Sequence, residues 1–206
     1  RNSRRNESRT KIERARPKAK RLKLMEILEL INSGSQELKK NNVPSYRLDS
    51  EILLAKALNK KREEILISSH KKVASKFIKS FNKFIKRRSS REPIAYILQE
   101  KEFWSKNFFV TRDTLIPRPE TELMVEKIVK IFKEKQIFIL DIGTGSGCIL
   151  ISLLSELKNS SGVGVDISKK ATQIAKINSL KYKLESRANF FRKSFSEIHG
   201  SKFDLI

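Results

Sequence analysis

Two carboxylates and a run of glycines carry the chemistry of this chain. Asp141 closes the apolar run Ile137-Phe138-Ile139-Leu140, and glycines follow at 143, 145 and 147. A helical pattern then begins, with Ile149, Leu150, Leu153, Leu154 and Leu157. Strand, glycine turn and helix is the arrangement that brings bare backbone N–H groups and a helix N-terminus up to a ligand. Gly143, Gly145 and Gly147 lack a Cβ, so the turn can take positive φ and let a ligand touch the backbone. Asp166 closes the next apolar run, nineteen residues after Gly147 (166 − 147). An acid at that strand end accepts hydrogen bonds from ribose hydroxyls in nucleotide-binding α/β folds. The spacing is Gly-x-Gly-x-Gly, and Cys148 stands where a dinucleotide fingerprint puts its third glycine. The pattern reads as a nucleoside-cofactor site, with S-adenosylmethionine favoured over NAD.

Each of these residues has a plainer reading. Asp166 could instead cap a helix starting near Ser168. Asp141 lies either near a methionine amino group or merely against the glycine turn, as its cap. Pro117, Arg118, Pro119 and Glu120 form a second feature, because two prolines fix Arg118 at low entropic cost just before a helix. On physics alone that segment is equally an interdomain strut. His70 and His199 stand apart in polar contexts, and no Cys/His cluster offers a metal site. The single cysteine excludes an internal disulfide.

The elements that must position these groups fall into two patterns. From 24 to 91 the spacing is helical, with Leu24, Ile27, Leu28 and Ile31 first and Gly34 marking a kink or break. A loop at 41–45 leads to a helix carrying Leu48, Ile52, Leu53, Ala55 and Leu58, and a short helix covers 62–67. Val73, Phe77, Phe81, Phe84 and Ile85 then form an apolar stripe opposite lysines. Between 92 and 116 alternation and aromatics predict short strands at 94–98 and 103–110, turning around Lys106-Asn107. Beyond Pro117, a helix over 120–134 precedes strands at 137–142, 162–167, 188–191 and 203–206, with helices at 147–158 and 168–183 between them. Alternation of this kind predicts a parallel sheet with helical crossovers.

The formal net charge is +22. Residues 1–24 carry eleven Lys/Arg against Glu7 and Glu13, and residues 71–91 carry nine with no acid. The excess is therefore local, and a basic surface of this kind suits nucleic acid or a ribonucleoprotein; a solvated helix face is the alternative. Residues 1–23 lack apolar periodicity and read as a disordered leader. No apolar run approaches the roughly 20 residues a membrane span needs, and a cytoplasmic monomer is the simple expectation. Residue 1 is Arg and the chain stops inside an expected strand, so the sequence reads as part of a longer protein.

Several stretches together resemble the protein-(glutamine-N5) methyltransferases of peptide chain release factors. They are Arg91-Glu92-Pro93-Ile94-Ala95-Tyr96-Ile97, Phe103-Trp104, Leu115 to Glu122, and Asp141 to Ile149. The resemblance runs from about Met25 to Ile206. It implies an N-terminal helical bundle at 24–91 for substrate docking, a β-hairpin linker at 92–116, and an incomplete Rossmann-like class I S-adenosylmethionine-dependent methyltransferase domain at 117–206. It implies methyl transfer from S-adenosylmethionine to the glutamine amide of a Gly-Gly-Gln loop in release factors. Cofactor-binding positions carried over are Asp141, Gly143, Thr144, Gly145, Ser146, Gly147 and Asp166. Ser194 stands where relatives often have Trp against adenine, and Phe195 is the expected substitute. Pro117, Arg118, Pro119 and Glu120 are supporting residues. The catalytic Asn-Pro-Pro-Tyr of such enzymes is expected beyond Ile206, so this stretch of chain is expected to bind cofactor weakly and not to turn over. The basic face at Lys79, Lys83, Lys86 and Arg87 is expected to dock the release factor, with incidental nucleic-acid contact. A nucleic-acid amino-group methyltransferase and a non-catalytic basic adaptor for ribosome or RNA are the competing expectations.

Overall fold

The computed structural model describes residues 24–198 and 202–206. The expected leader at 1–23 and His199 lie outside the described residues. The chain divides into two compact units, Arg1–Lys86 and Arg87–Ile206.

In the first unit, strand β1 (Met25–Glu26) pairs antiparallel with β2 (Lys72–Val73). Four helices follow: α1 (Ile27–Lys40), α2 (Tyr46–Leu58), α3 (Arg62–Ile67) and α4 (Ser75–Ser89), the last three residues of α4 falling in the second unit. The expected start of α1 at residue 24 moves to Ile27 because Met25 and Glu26 are extended in the ladder. A capping box between Glu26 and Glu29 then satisfies the first turn. Gly34 neither kinks nor breaks α1. A Cβ there would lie 2.5 Å from Ser50 Oγ and 2.6 Å from Phe81 Cζ, so the bare backbone lets α2 and α4 pack close. Ser50 Oγ, itself buried, donates to the Ile31 carbonyl at the same contact. Glu51 is buried on α2 and accepts from Arg47 and Arg62, while Arg47 also reaches Asn32 on α1. One carboxylate thus joins two helices and a third through Arg47, and two guanidinium partners offset its desolvation.

The second unit starts with a correction. Ile94–Leu98 is a one-turn helix (α5), not a strand: Pro93 supplies a pre-set φ at its N-cap, and Ala95 and Ile97 face inward. The hairpin is β3 (Glu100–Phe103) with β4 (Lys106–Phe109), and its tip is Trp104-Ser105 rather than Lys106-Asn107. Both tip residues have positive φ, 50° and 53°, as a type I′ turn demands. Trp104 is held there by its neighbours. Its backbone N–H donates to Glu122 and its indole Nε1 to Glu156. The hairpin lies within the second unit.

A 3-10 turn at Pro119–Thr121 leads into α6 (Glu122–Phe132). Then come β5 (Phe138–Ile142), α7 (Cys148–Glu156), β6 (Ser161–Asp166), α8 (Lys169–Lys181) and β7 (Ala188–Arg192). The sheet is parallel in the order β5-β6-β7. Its core is a single cluster that includes Phe103, Phe108, Val125, Ile139, Leu150, Leu153 and Phe190. The expected strand at 203–206 narrows to one parallel bridge, Ile139 with Leu205. Asp204 is the reason: its carboxylate takes the Phe138 N–H, a donor that a ladder would use. No helix of the described residues is long and apolar enough to cross a membrane.

Candidate functional site

The carboxyl ends of adjacent parallel strands gather most of the sequence-expected residues. β5 delivers Asp141 and the turn, β6 delivers Asp166, and β7 leads to Ser194 and Phe195. The backbone of the turn visits positive φ at Gly143, Gly145 and Gly147. The glycines serve two ends. Around Gly143 a Cβ would meet nothing within 4 Å, so the turn faces open space there. At Gly147 it would press on Ile151, Ala175 and Phe190 at 3.0–3.2 Å, so that glycine lets α7 close on the sheet.

Four of the turn's amides are not bare, contrary to the expectation from the motif. Gly143 and Thr144 N–H both donate to the Val165 carbonyl, at 2.9 and 3.0 Å. Gly145 N–H donates to Asp166 Oδ2 at 3.0 Å, and Gly147 N–H to the Thr144 carbonyl at 2.8 Å. The physical reason is proximity: with β5 and β6 paired to their ends, the turn folds back over β6 and finds its acceptors there. A pyrophosphate would need these donors free. A ligand with a positive centre and ribose hydroxyls needs acceptors, and acceptors are what the site offers.

Asp166 supplies one. Oδ2 accepts from Gly145 and Oδ1 from Ser168 N–H at 2.9 Å. Each carboxylate oxygen keeps a second lone-pair direction, so a ribose diol can still be received. Ser168, not Asp166, caps α8, with its Oγ accepting from Ala171 N–H. Asp141 supplies the other. Its Oδ2 accepts from the Thr144 hydroxyl at 2.7 Å. Burial pushes the Asp141 carboxyl above its ordinary range, with the Thr144 hydrogen bond opposing the shift. A cationic ligand beside it would reverse that direction. A cleft of about 270 Å³ includes Asp141, Ile142 and Ile149 on one side and Met124 and Ile128 of α6 on the other.

Ser194 caps a 3-10 turn at Phe195–Glu197 through a capping box with Glu197. Lys193 N–H donates to the Asp166 carbonyl, which seats the segment beside the end of β6. Phe195 is 69% exposed, a free apolar ring at the rim. Ser146 is buried in the turn. Pro117 is buried, whereas Arg118, Pro119 and Glu120 are exposed at the entry to α6. Among the described residues no hydrogen bond joins 117–120 to the turn; they approach the site through α6, which flanks the cleft. Cys148 is a buried free thiol at the start of α7, pushed up to about 11 chiefly by burial. His70 is exposed and pairs loosely with Glu26. No metal-holding cluster occurs among the described residues.

Asn178 is the functional residue that sequence reading missed. It is fully buried on α8. Its Oδ1 accepts from Phe109 N–H at 2.7 Å, and its Nδ2 donates to the carbonyls of Phe109 and Ser146, both at 2.9 Å. One amide thus ties the hairpin edge to the glycine turn. An asparagine inside a helix whose other inward residues are apolar or small was the available signal.

An open parallel sheet with a glycine turn after its first strand, paired acids at two strand ends and helical crossovers is the Rossmann-like frame of the S-adenosylmethionine-dependent methyltransferases. Residues 29–98 match the PrmC N-terminal domain, and residues 116–206 match a methyltransferase domain. The chain is thus similar to the PrmC N-terminal domain over its first part and to a methyltransferase domain over its last. Among curated relatives, a release factor glutamine methyltransferase of Buchnera aphidicola subsp. Acyrthosiphon pisum is 40% identical over 182 residues, covering 88% of this chain and 65% of the relative. Its counterpart in Buchnera aphidicola subsp. Schizaphis graminum is 44% identical, covering 78% and 58%. A bifunctional methyltransferase of Rickettsia typhi is 34% identical, covering 87% and 39%. The chain therefore spans between about two fifths and just under two thirds of the length of these relatives.

Proposed function

We propose that the whole protein transfers a methyl group from S-adenosylmethionine to the side-chain amide nitrogen of a glutamine in peptide chain release factors. The domain matches and the names of the Buchnera relatives support the reaction class and the substrate. The observation that carries the cofactor half is the inverted polarity of the glycine turn: four of its amides spent internally, carboxylates left to receive.

In this reading Asp166 holds the ribose hydroxyls and Asp141 faces the methionine amino group. Gly143, Thr144, Gly145, Ser146 and Gly147 form the wall the cofactor lies on. Ser194 and Phe195 border the adenine. Bound cofactor supplies an electrophilic methyl group on a sulfonium. The glutamine amide is a weak nucleophile, so the work left to the protein is orientation and the exclusion of water. Residues 24–91 act as a docking domain and 117–206 carry the cofactor site, with 92–116 packed into the same unit as that site. Pro117, Arg118, Pro119 and Glu120 brace the approach along α6.

The test is incubation of the full-length protein with labelled cofactor and a release factor, with and without its loop glutamine. Label should appear only when that glutamine is present. Label that persists without it, or that goes to RNA, overturns the substrate assignment.

A further inference from the structure

The basic excess has a defined address. Outside residues 1–24 and 71–91 the chain carries 25 Lys/Arg (45 less 20) against 21 Asp/Glu (23 less 2), close to balance. Composition alone would have spread the excess. Instead one half of it lies in residues 1–24 and the other in 71–91, where Lys71, Lys72 and Arg91 flank the six basic residues of α4.

On α4 the charges are ordered. Lys76, Lys79, Lys83 and Lys86 are exposed and recur at intervals of three, four and three residues. At 100° per residue they fall within an arc of about 80°, and at 1.5 Å per residue they span about 15 Å. Phe81 and Ile85, the buried residues of α4, lie on the opposite side. The exposed arc is completed by Ser80 and Asn82, so it holds no acid and no apolar residue.

That composition discriminates between partners. Protein interfaces centre on aromatic and apolar anchors and are depleted in lysine. A phosphate backbone needs the reverse, a row of cations with hydroxyl and amide donors between them, and releases counterions on binding.

We propose that the lysine face of α4 binds the phosphate backbone of RNA. The contacts carry no base readout, so binding is sequence-tolerant and steeply salt-dependent. This function is separate from methyl transfer: it uses none of the residues around the glycine turn, and either reading can fail alone.

The experiment uses the full chain and a fluorescent 20-nucleotide oligouridylate, with anisotropy titrations from 50 to 200 mM salt. Substituting Lys76→Gln, Lys79→Gln and Lys83→Gln together should weaken binding at least tenfold at 50 mM salt. The slope of log K against log salt should fall by about 2, since each single-strand phosphate contact contributes roughly 0.7. The matching triple Arg variant should bind like the unchanged chain. Lys127→Gln, Lys133→Gln and Lys158→Gln, three exposed lysines elsewhere, should change affinity less than twofold. Circular dichroism melts of all variants confirm that the buried side of α4 is intact. The proposal is overturned if the unchanged chain does not bind, if the α4 variant binds like it, or if the control variant weakens binding equally. It is also overturned if the α4 variant keeps RNA but loses a release factor, which would make the face a protein dock.

Discussion

Asp141 and Asp166 sit on neighbouring strand ends yet face opposite electrostatic demands. Asp166 is held by two backbone N–H donors, so its charge is supported before any ligand arrives. Asp141 accepts from the Thr144 hydroxyl and the Leu150 backbone N–H, yet burial outweighs both and raises its proton affinity. Asp166→Asn turns one acceptor oxygen into a donor that meets Gly145 or Ser168 N–H and removes the ribose acceptor. Cofactor affinity should fall 10- to 100-fold by calorimetry, matching roughly 1.5–3 kcal/mol for a hydrogen bond to a charged group. Asp141→Asn keeps an acceptor for Thr144 and removes a costly buried charge. It should leave the ligand-free protein as stable or more stable at neutral pH while weakening the cofactor. The sign follows from linkage: with the folded pKa raised, stability falls as pH rises above the unfolded value near 4 and levels off past the folded one. The Asn variant should flatten that fall in a pH series of denaturant melts. Both acids were legible in the sequence, because each closes its own apolar run beside a turn. Asn178 was not, because its partners Phe109 and Ser146 lie 69 and 32 residues away.

Elements in this chain are closed by residues distant in sequence. The C-terminal carbonyls around α7 are the clearest case. Arg187 donates to the carbonyls of Leu154, Leu157 and Ser160 from the segment before β7. Its positive charge also complements the negative end of the helix. Arg187→Ala should cost about 2 kcal/mol, read as a lower denaturation midpoint with an unchanged slope. Gly34→Ala should also destabilise. The gain in helix propensity is at most about 1 kcal/mol, and the Cβ overlap with Ser50 and Phe81 costs roughly 1–3 kcal/mol. The order of strands and helices after Pro117 was readable because each apolar run is bounded by glycine, proline or charge. The one-turn helix at Ile94–Leu98 was not. Five apolar-rich residues fit either period, and Pro93 decided the matter. The Trp-Ser turn was equally hidden, since neither residue favours positive φ and outside partners hold Trp104 there.

At the scale of the molecule, acid stability in the second unit should depend on Glu92. This buried carboxylate accepts from Arg87 through both oxygens and from Arg112. The Arg87 hydrogen bonds hold it below the usual carboxylate range, with Arg112 adding to the shift. Its folded pKa is therefore depressed. Its contribution is fully present above the unfolded value near 4.3 and is lost as pH falls through the folded one. Glu92→Gln should lower stability by roughly 1–3 kcal/mol near neutrality, and the gap from the parent should close below about pH 4. Equal gaps at pH 7 and pH 3 in urea melts would exclude the mechanism. The two carboxylates, Asp141 and Glu92, thus tilt the stability profile of one unit in opposite directions.

The hairpin tip carries a built-in optical reporter. Trp104 is the single tryptophan of the chain. Its indole is bonded to Glu156 at the last turn of α7, the helix whose first residue follows the glycine turn. Its backbone is bonded to Glu122 at the first turn of α6. Emission from this one fluorophore therefore reads a single place where hairpin, α6 and α7 meet. Without any label, its wavelength and quenching can follow the far end of α7 while ligand is added at the near end.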